Sequence, residues 1–176
     1  MSHIKLLPLL VSLSCLSLYC KKESEEDKLP PATTVGAQTI GCLMNGHAWP
    51  SKEDKEDIDF LGSGYAKGIF ELDCAVLYPG TSSRRTGVYI RVKYKIFGPG
   101  YYVIPFDGGI SDAFKALYRN VSYDSYFTNG GYAILNITRL DTINHYMAGT
   151  FEYNVYAFTK TDMVKVTKGR FDYKYN

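Results

Sequence analysis

The residue types that most often do chemistry in enzymes and metal sites are sparse in this sequence. Beyond residue 20 it contains two histidines, His47 and His145, and two cysteines, Cys42 and Cys74. No C-x-x-C or H-x-x-x-H spacing occurs, so the sequence predicts neither a metal site nor a bound cofactor. A G-x-S-x-G motif is also missing, and no spacing singles out a nucleophile. We therefore expect a protein that is not an enzyme.

Carboxylates are plentiful, and a pair of opposed carboxylates is what glycoside hydrolysis requires. The candidates are Glu71, Asp73, Asp107, Asp112, Asp124, Glu152 and Asp172. Most of them alternate with apolar residues in segments of period two, which places them on the side of a strand opposite the core. We expect these carboxylates to face solvent and to serve solubility rather than catalysis.

Tyrosine is in clear excess, with 16 copies among 176 residues. Five lie in a part of the chain where the period-two pattern is least regular: Tyr101, Tyr102, Tyr118, Tyr123 and Tyr126. A tyrosine ring offers a flat apolar face and a hydroxyl group, which suits stacking on a sugar or contact with a protein. These five residues are the candidate ligand surface. The alternative is that tyrosine simply fits the half-buried face of a strand.

The candidate residues lie in or between segments in which apolar and polar residues alternate with a period of two. This alternation, which is typical of strands, runs from Gln38 onward. The clearest run is residues 88–97, in which one face carries Val88, Ile90, Val92, Tyr94 and Ile96. The other face of that run is mostly charged. Residues 70–76, 151–155 and 171–175 alternate in the same way. This pattern is typical of half-buried strands in an antiparallel sheet.

Turn signals separate these runs. Asn45-Gly46 lies between two apolar runs, which predicts a tight hairpin. Residues 111–118 are compatible with either a helical turn or a strand. We predict an all-β fold of about 8–10 strands, either an antiparallel sandwich of two sheets or a small closed barrel. Residues 37–176 form this single domain.

The N-terminus has the pattern of an export signal. Residues 6–19 carry no charge and follow a short basic head, and the run is too short to span a bilayer. It ends at Cys20, directly before the charged run at residues 21–28. This pattern resembles a bacterial lipoprotein signal, in which the cysteine receives a lipid. We expect residues 1–19 to be the signal and residues 20–36 a polar tether, with Cys15 as the alternative lipidation site.

Charge and lipid together indicate where the protein acts. The net charge of +2 gives no long-range field for nucleic acid, so we expect no nucleic-acid partner. Acyl chains on Cys20 would hold the protein at a membrane without a transmembrane helix. The acidic run after Cys20 resembles the export tag of Bacteroidota lipoproteins on the outer face of the outer membrane. We expect outward display there, with a periplasm-facing tether as the alternative.

An exported protein with an even pair of cysteines can form a disulfide bond. Cys42 follows Gly41 in the first strand, and Cys74 lies on the apolar face of the strand at residues 70–76. A disulfide between Cys42 and Cys74 is therefore one expectation. The alternative is two separate buried thiols that act as small apolar side chains.

Five segments, in order along the chain, resemble a domain-of-unknown-function family of Bacteroidota lipoproteins. They are Leu29-Pro-Pro-Ala-Thr-Thr34, Gly41-Cys-Leu-Met-Asn-Gly46, Ile137-Thr-Arg-Leu-Asp141, Gly149-Thr-Phe-Glu-Tyr153 and Gly169-Arg-Phe-Asp-Tyr173. The resemblance implies an all-β lipoprotein domain without an assigned activity. With the tyrosine excess, it leads us to expect a ligand- or glycan-binding module. The alternative is a structural or partner-docking component of an envelope protein complex.

Overall fold

A computed structural model describes residues 22–51, 58–80, 83–106, 112–128 and 130–175. The predicted signal and Cys20 lie outside these ranges. Within them, the structure contains no helix with the length and apolar character needed to cross a bilayer.

The described residues form an all-β fold of twelve strands, which confirms the predicted fold class. The strands are β1 (Thr39–Met44), β2 (His47–Trp49), β3 (Ile58–Phe60), β4 (Gly64–Ala66), β5 (Ile69–Leu77), β6 (Arg84–Lys93), β7 (Gly100–Pro105), β8 (Ala113–Tyr118), β9 (Val121–Asp124), β10 (Tyr132–Asp141), β11 (Tyr146–Ala157) and β12 (Met163–Lys174). The count exceeds the expected 8–10 because β2, β3 and β4 have three residues each, too few to show an alternation.

The strands make one antiparallel sheet that folds over into two sandwich-like layers and does not close into a barrel. The first layer has the order β2-β1-β12-β11-β10-β7. The second has the order β9-β8-β6-β5, with both β3 and β4 paired to β5. The layers are continuous because one edge of β11 pairs with β10 over most of its length and with β9 at Tyr156 and Ala157.

The core lies between the layers and is built by the alternation that the sequence shows. Phe70 on β5 packs against Phe171 on β12, with ring centroids 5.7 Å apart. Phe114 on β8 packs against Tyr153 on β11 at 5.6 Å. These strands are not neighbours in the sheet, so the ring contacts join the two layers and bury their apolar faces.

Local turn chemistry accounts for two connections. The predicted Asn45-Gly46 hairpin is confirmed: it joins β1 to β2, and both residues have positive φ, as a tight two-residue turn requires.

The core-facing assignment of Tyr94 is wrong. The strand ends at Lys93, and Tyr94 turns out of the sheet with φ of +57°. Its exposed ring lies over Gly68, where a Cβ atom would come within 2.7 Å of the ring.

The segment at residues 24–36 differs from the free tether that the sequence predicts; we call it the N-terminal strap. It lies across the outer face of β1 and β12. The carboxylate of Asp172 accepts hydrogen bonds from the Thr33 hydroxyl at 2.6 Å and from the amides of Val35 and Gly36 at 2.9 and 2.7 Å. The strap is thus fixed to the outside of the sheet by one buried acidic side chain.

Further contacts hold the rest of the strap. Glu25 accepts a hydrogen bond from the Ala48 amide at 2.8 Å, and Arg139 donates one to the Thr34 carbonyl at 2.6 Å. Leu29 is buried. Gly41 provides the necessary space, because a Cβ atom there would come within 2.5 Å of the Pro30 ring. The strap is therefore packed as part of the domain, and the expected boundary at residue 37 does not separate two independent segments.

Candidate functional site

The structure places the five candidate tyrosines in different surroundings. Tyr101 and Tyr126 are exposed. Tyr102 is half-buried and donates a hydrogen bond to the Gly98 carbonyl at 2.8 Å. Tyr123 is buried, and its hydroxyl donates to Asp162 at 2.6 Å. Burial, together with that hydrogen bond, raises the pKa of Tyr123 to about 12.

The strand register separates these tyrosines into two groups. Tyr101 on β7 lies opposite Asn136 of β10, which lies opposite Thr150 of β11. Tyr123 on β9 lies opposite Ala157 of β11. The seven residue steps from position 150 to position 157 span about 23 Å along the strand at ~3.3 Å per step. The structure therefore places Tyr101 and Tyr102 on β7, where they point to opposite sides of the sheet, at a distance from Tyr118, Tyr123 and Tyr126.

A groove on the outer face of the second layer is a better candidate; we call it the β6 groove. It is a cavity of about 400 Å³, within the usual range for small-molecule sites. Its lining residues include Asp73, Arg84, Gly87, Tyr89, Arg91, Ala113, Lys115, Leu117 and Ser122. None of the five candidate tyrosines is among the residues that line it.

Small residues on paired strands form the floor of the β6 groove. Gly87 of β6 lies opposite Ala75 of β5 on one side and Leu117 of β8 on the other. A Cβ atom at Gly87 would lie 2.7 Å from the Cys74 carbonyl oxygen, so glycine is required for this close approach. Ala113 lies opposite Arg91 further along. Larger side chains around these positions form the walls of the depression.

Three basic side chains in the lining of the β6 groove form ion pairs. An Arg84 Nη2 lies 2.7 Å from Asp73 Oδ2, and the Lys115 ammonium lies 2.8 Å from Asp124. The Arg91 Nε atom is 3.9 Å from a Glu71 carboxylate oxygen. Each of the three cations that line the groove is paired with a carboxylate, although Asp73 alone among these carboxylates is itself part of the lining.

Tyr89 stands between these charges. Its hydroxyl donates a hydrogen bond to Glu71 Oε1 at 2.9 Å, and the Lys115 ammonium lies 6.0 Å from its ring centroid. Partial burial, followed by the hydrogen bond to Glu71, raises the pKa of Tyr89 to about 12. The hydroxyl therefore remains protonated at neutral pH and acts as a hydrogen-bond donor.

Two polar atoms next to the β6 groove are buried and have no hydrogen-bond partner among the described residues: Asp73 Oδ1 and Arg91 Nε. An unsatisfied buried polar atom costs about 1–3 kcal/mol, so native proteins keep few of them.

The expectation that the carboxylates face solvent is wrong for three of them. Asp73, Asp112 and Asp172 are buried. Asp73 is covered by Arg84, and Asp112 accepts a hydrogen bond from the Lys93 amide and pairs with the Lys95 ammonium. Asp73 and Asp172 do lie on the side of their strands opposite the core, but Arg84 covers the first and the strap covers the second. Asp107 lies outside the described residues.

The two histidines lie in different parts of the described structure. His145 stacks on Tyr175 with ring centroids 5.1 Å apart and lines a second cavity of about 550 Å³. His47 lies on β2, in the hairpin with β1. Among the described residues, no three histidine, cysteine, aspartate or glutamate side chains are placed to hold a metal ion.

Cys42 and Cys74 are free, buried thiols rather than a disulfide. Burial raises the pKa of both thiols well above its usual range, which makes them poor nucleophiles. The Cys74 sulfur lies 3.7 Å from the Ser63 hydroxyl. The structure thus corresponds to the alternative in which the two cysteines serve as small apolar core residues.

The chain matches no protein-family model, no curated protein and no solved structure. Its function therefore has to be inferred from the geometry of the chain itself.

Proposed function

We propose that this protein is a lipid-anchored, non-enzymatic β module of the outer membrane that binds a saccharide in the β6 groove. The observation that carries the proposal is the composition of the groove. Its floor at Gly87, Ala113 and Leu117 is apolar, and its walls carry paired guanidinium, ammonium and carboxylate groups. A pyranose ring has the matching character, because its C–H face is apolar and its edge carries hydroxyl groups.

The charge balance of the groove favours a neutral saccharide. A polycation would be repelled by the three basic side chains of the lining, and a polyanion would have to compete with the carboxylates that already pair with them. Sugar hydroxyl groups donate and accept at once, so they can bind both members of an ion pair.

Binding to an array of defined neutral and acidic oligosaccharides tests this proposal. We expect the protein to bind neutral members, and Tyr89→Ala to weaken that binding at least tenfold. Ser122→Trp should have a similar effect, because it fills the groove from an exposed position without removing a core contact. Retained folding of both variants is checked by circular dichroism.

Tyr126→Ala is the matched control, because Tyr126 is exposed and does not line the β6 groove. It should bind saccharide like the natural protein. If Tyr126→Ala loses binding and Tyr89→Ala retains it, the ligand surface lies at the tyrosines first singled out in the sequence. If no saccharide binds, the proposed function is wrong.

A lipid on Cys20 would hold the domain close to the membrane. The strap is in contact with the sheet from Glu25 onward. A lipid on Cys20 would then be linked to the domain by five residue steps, which reach at most about 18 Å when fully extended. The acidic run after Cys20 supports outward display, and this short link would hold the domain near the lipid headgroups.

Fractionation of the producing cells tests the anchor. We expect Cys20→Ala to move the protein from the membrane to the soluble fraction, and Cys15→Ala to leave it in the membrane. The opposite pattern would assign the lipid to Cys15, and membrane retention of both variants would contradict lipid anchoring. Protease treatment of intact cells should degrade the domain. Protection would contradict outward display.

A second candidate function is docking to a protein partner. The observation that favours it is β7, which pairs with β10 alone among the described strands. The other edge of β7 can accept a strand from another chain, and main-chain hydrogen bonds would then provide the affinity.

A further inference from the structure

Among the residues that the structure describes, the outer edge of the first layer lacks the features that usually protect an edge strand. Natural edges are blunted by lysines, by bulges or by irregular pairing. The β7 sequence Gly-Tyr-Tyr-Val-Ile-Pro contains no charge, and its register with β10 is continuous from Gly100 to Pro105. Only Pro105, at the end of the strand, lacks an amide donor.

The outer face beside this edge is apolar and exposed. Tyr101 is 65% exposed, Val103 55% and Tyr132 57%. Val103 lies opposite the half-buried Ile134 of β10. We call Tyr101, Val103, Pro105, Tyr132 and Ile134 the β7 patch. On the same face of this layer, the strap covers β1 and β12. The exposed apolar surface of the β7 patch therefore lies at the opposite end of the layer, on β7 and β10.

We propose that β7 pairs antiparallel with β7 of a second copy of this chain, so that two first layers form one continuous sheet. This inference names the partner for the second candidate function and rests on it. A two-fold axis perpendicular to the sheet would relate the copies, as in most symmetric dimers.

The alternation of β7 restricts the register of this pair to one centred on a residue, and we place the centre at Val103, in the middle of the exposed residues. Residues that lie opposite each other in an antiparallel pair point to the same side of the sheet. Tyr101, Val103 and Pro105 are exposed on the outer side, whereas Tyr102 and Ile104 point towards the core. The two-fold register centred on Val103 meets this condition. It places Val103 opposite its own counterpart, Tyr101 opposite Pro105 and Tyr102 opposite Ile104.

Charge indicates a second copy as the occupant. Residues 96–106 and 132–138 contain no charged side chain, although 22% of the whole chain is charged. In a two-fold pair, a charge near the axis would lie beside an identical charge and repel it. The β7 patch avoids this repulsion and offers no charge by which a strand of opposite sign could be selected. A dimer would also carry two β6 grooves, which raises the avidity for a repeating saccharide.

Cysteine crosslinking tests the register directly. Directly opposed residues have Cβ atoms about 4.5–5.5 Å apart, so Val103→Cys on the axis should oxidise to a covalent dimer of the full chain. Val121→Cys is the matched control, since Val121 is an exposed valine on β9, and it should stay uncrosslinked. Light scattering of the natural protein should give the mass of two copies. Val103→Lys should give the mass of one copy, because it places two ammonium groups together.

A single-copy mass for the natural protein at tens of micromolar, without a crosslink at Val103→Cys, would overturn the inference. Crosslinking to a different protein would overturn it too, and would assign the edge to another partner. The oligosaccharide array is read on the same samples. For the natural protein, a single-copy mass with saccharide binding would reject this inference alone, and a two-copy mass without saccharide binding would reject the groove alone.

Discussion

Replacing Asp172 with alanine is expected to lower the free energy of unfolding by about 3 kcal/mol and to release the N-terminal strap. The carboxylate is 1% exposed and accepts three hydrogen bonds from the strap, at Thr33, Val35 and Gly36. A hydrogen bond to a charged group is worth about 1.5–3 kcal/mol. The loss is smaller than the sum of three, because the released strap can hydrate its donors. Urea denaturation measures it.

Limited proteolysis separates release of the strap from a general loss of stability. Asp172→Ala should be cleaved within residues 24–36 under conditions in which the rest of the domain stays intact. Asp172→Asn is the matched variant, since it keeps the shape and one acceptor oxygen, and it should lose less stability than Asp172→Ala. Equal stability of Asp172→Ala and the natural protein, with no new cleavage, would show that the strap is held by other contacts.

The same carboxylate predicts how stability depends on pH. Burial alone would raise the pKa of Asp172, but the hydrogen bonds from Thr33, Gly36 and Val35 outweigh it and lower the pKa below the usual 3.8. A group whose pKa is lower in the folded state stabilises that state above its unfolded pKa. This contribution is lost as the pH falls from about 4 through the folded pKa. We expect acid to release the strap, and Asp172→Ala to lack this step.

Asp172 also shows what the sequence pattern could not reveal. Its alternation with Phe171 and Tyr173 correctly predicts that it points away from the core. The pattern does not reveal that another segment covers that side of the sheet. The strap has no period and contains two prolines, so its sequence resembles a linker. The hydrogen bonds that hold the strap to Asp172 join residues 136 to 139 positions apart, and a local sequence pattern does not show them.

The fold class was predictable because its signals are local. Period two along each strand and the Asn45-Gly46 turn depend on neighbouring residues only. The choice between sandwich and barrel depends on the sharing of one β11 edge between β10 and β9, which connects distant parts of the chain. The assignment of Tyr94 is wrong for a related reason: the alternation continues in the sequence to residue 97, although the strand ends at Lys93 and the backbone turns at Tyr94.

The candidate site was less predictable, because a groove is formed by strands that are paired in the sheet but distant in the sequence. The tyrosine excess drew attention to residues 101–126, whereas the β6 groove results from Gly87 lying between Ala75 and Leu117. One signal was present in the sequence. A glycine in the interior of the clearest strand indicates a close backbone approach or a ligand site, and Gly87 directly precedes the alternating run that starts at Val88.

Gly149→Ala is expected to lower the free energy of unfolding by about 2–3 kcal/mol, the range for overpacking a core. Glycine in a strand is usually unfavourable, so alanine would ordinarily stabilise the fold by about 0.5–1 kcal/mol. Here the new Cβ atom would lie 2.4 Å from the Asn136 carbonyl oxygen and 3.1 Å from the Ile137 Cα atom. Both atoms are backbone, so no side-chain rotation can relieve the contact.

The position of Gly149 extends the effect to both neighbouring strands. It lies on β11 opposite Ile137, next to the irregularity in register between Ile137 and Arg139. On its other side Gly149 lies opposite Phe171 of β12, so a displacement there disturbs the pairing with β10 and β12 together. Gly62→Ala is the control, because a Cβ atom there meets nothing within 4 Å, and its urea midpoint should stay close to that of the natural protein. If Gly149→Ala were as stable as Gly62→Ala, β10 and β11 would have to be further apart at this point than the register allows.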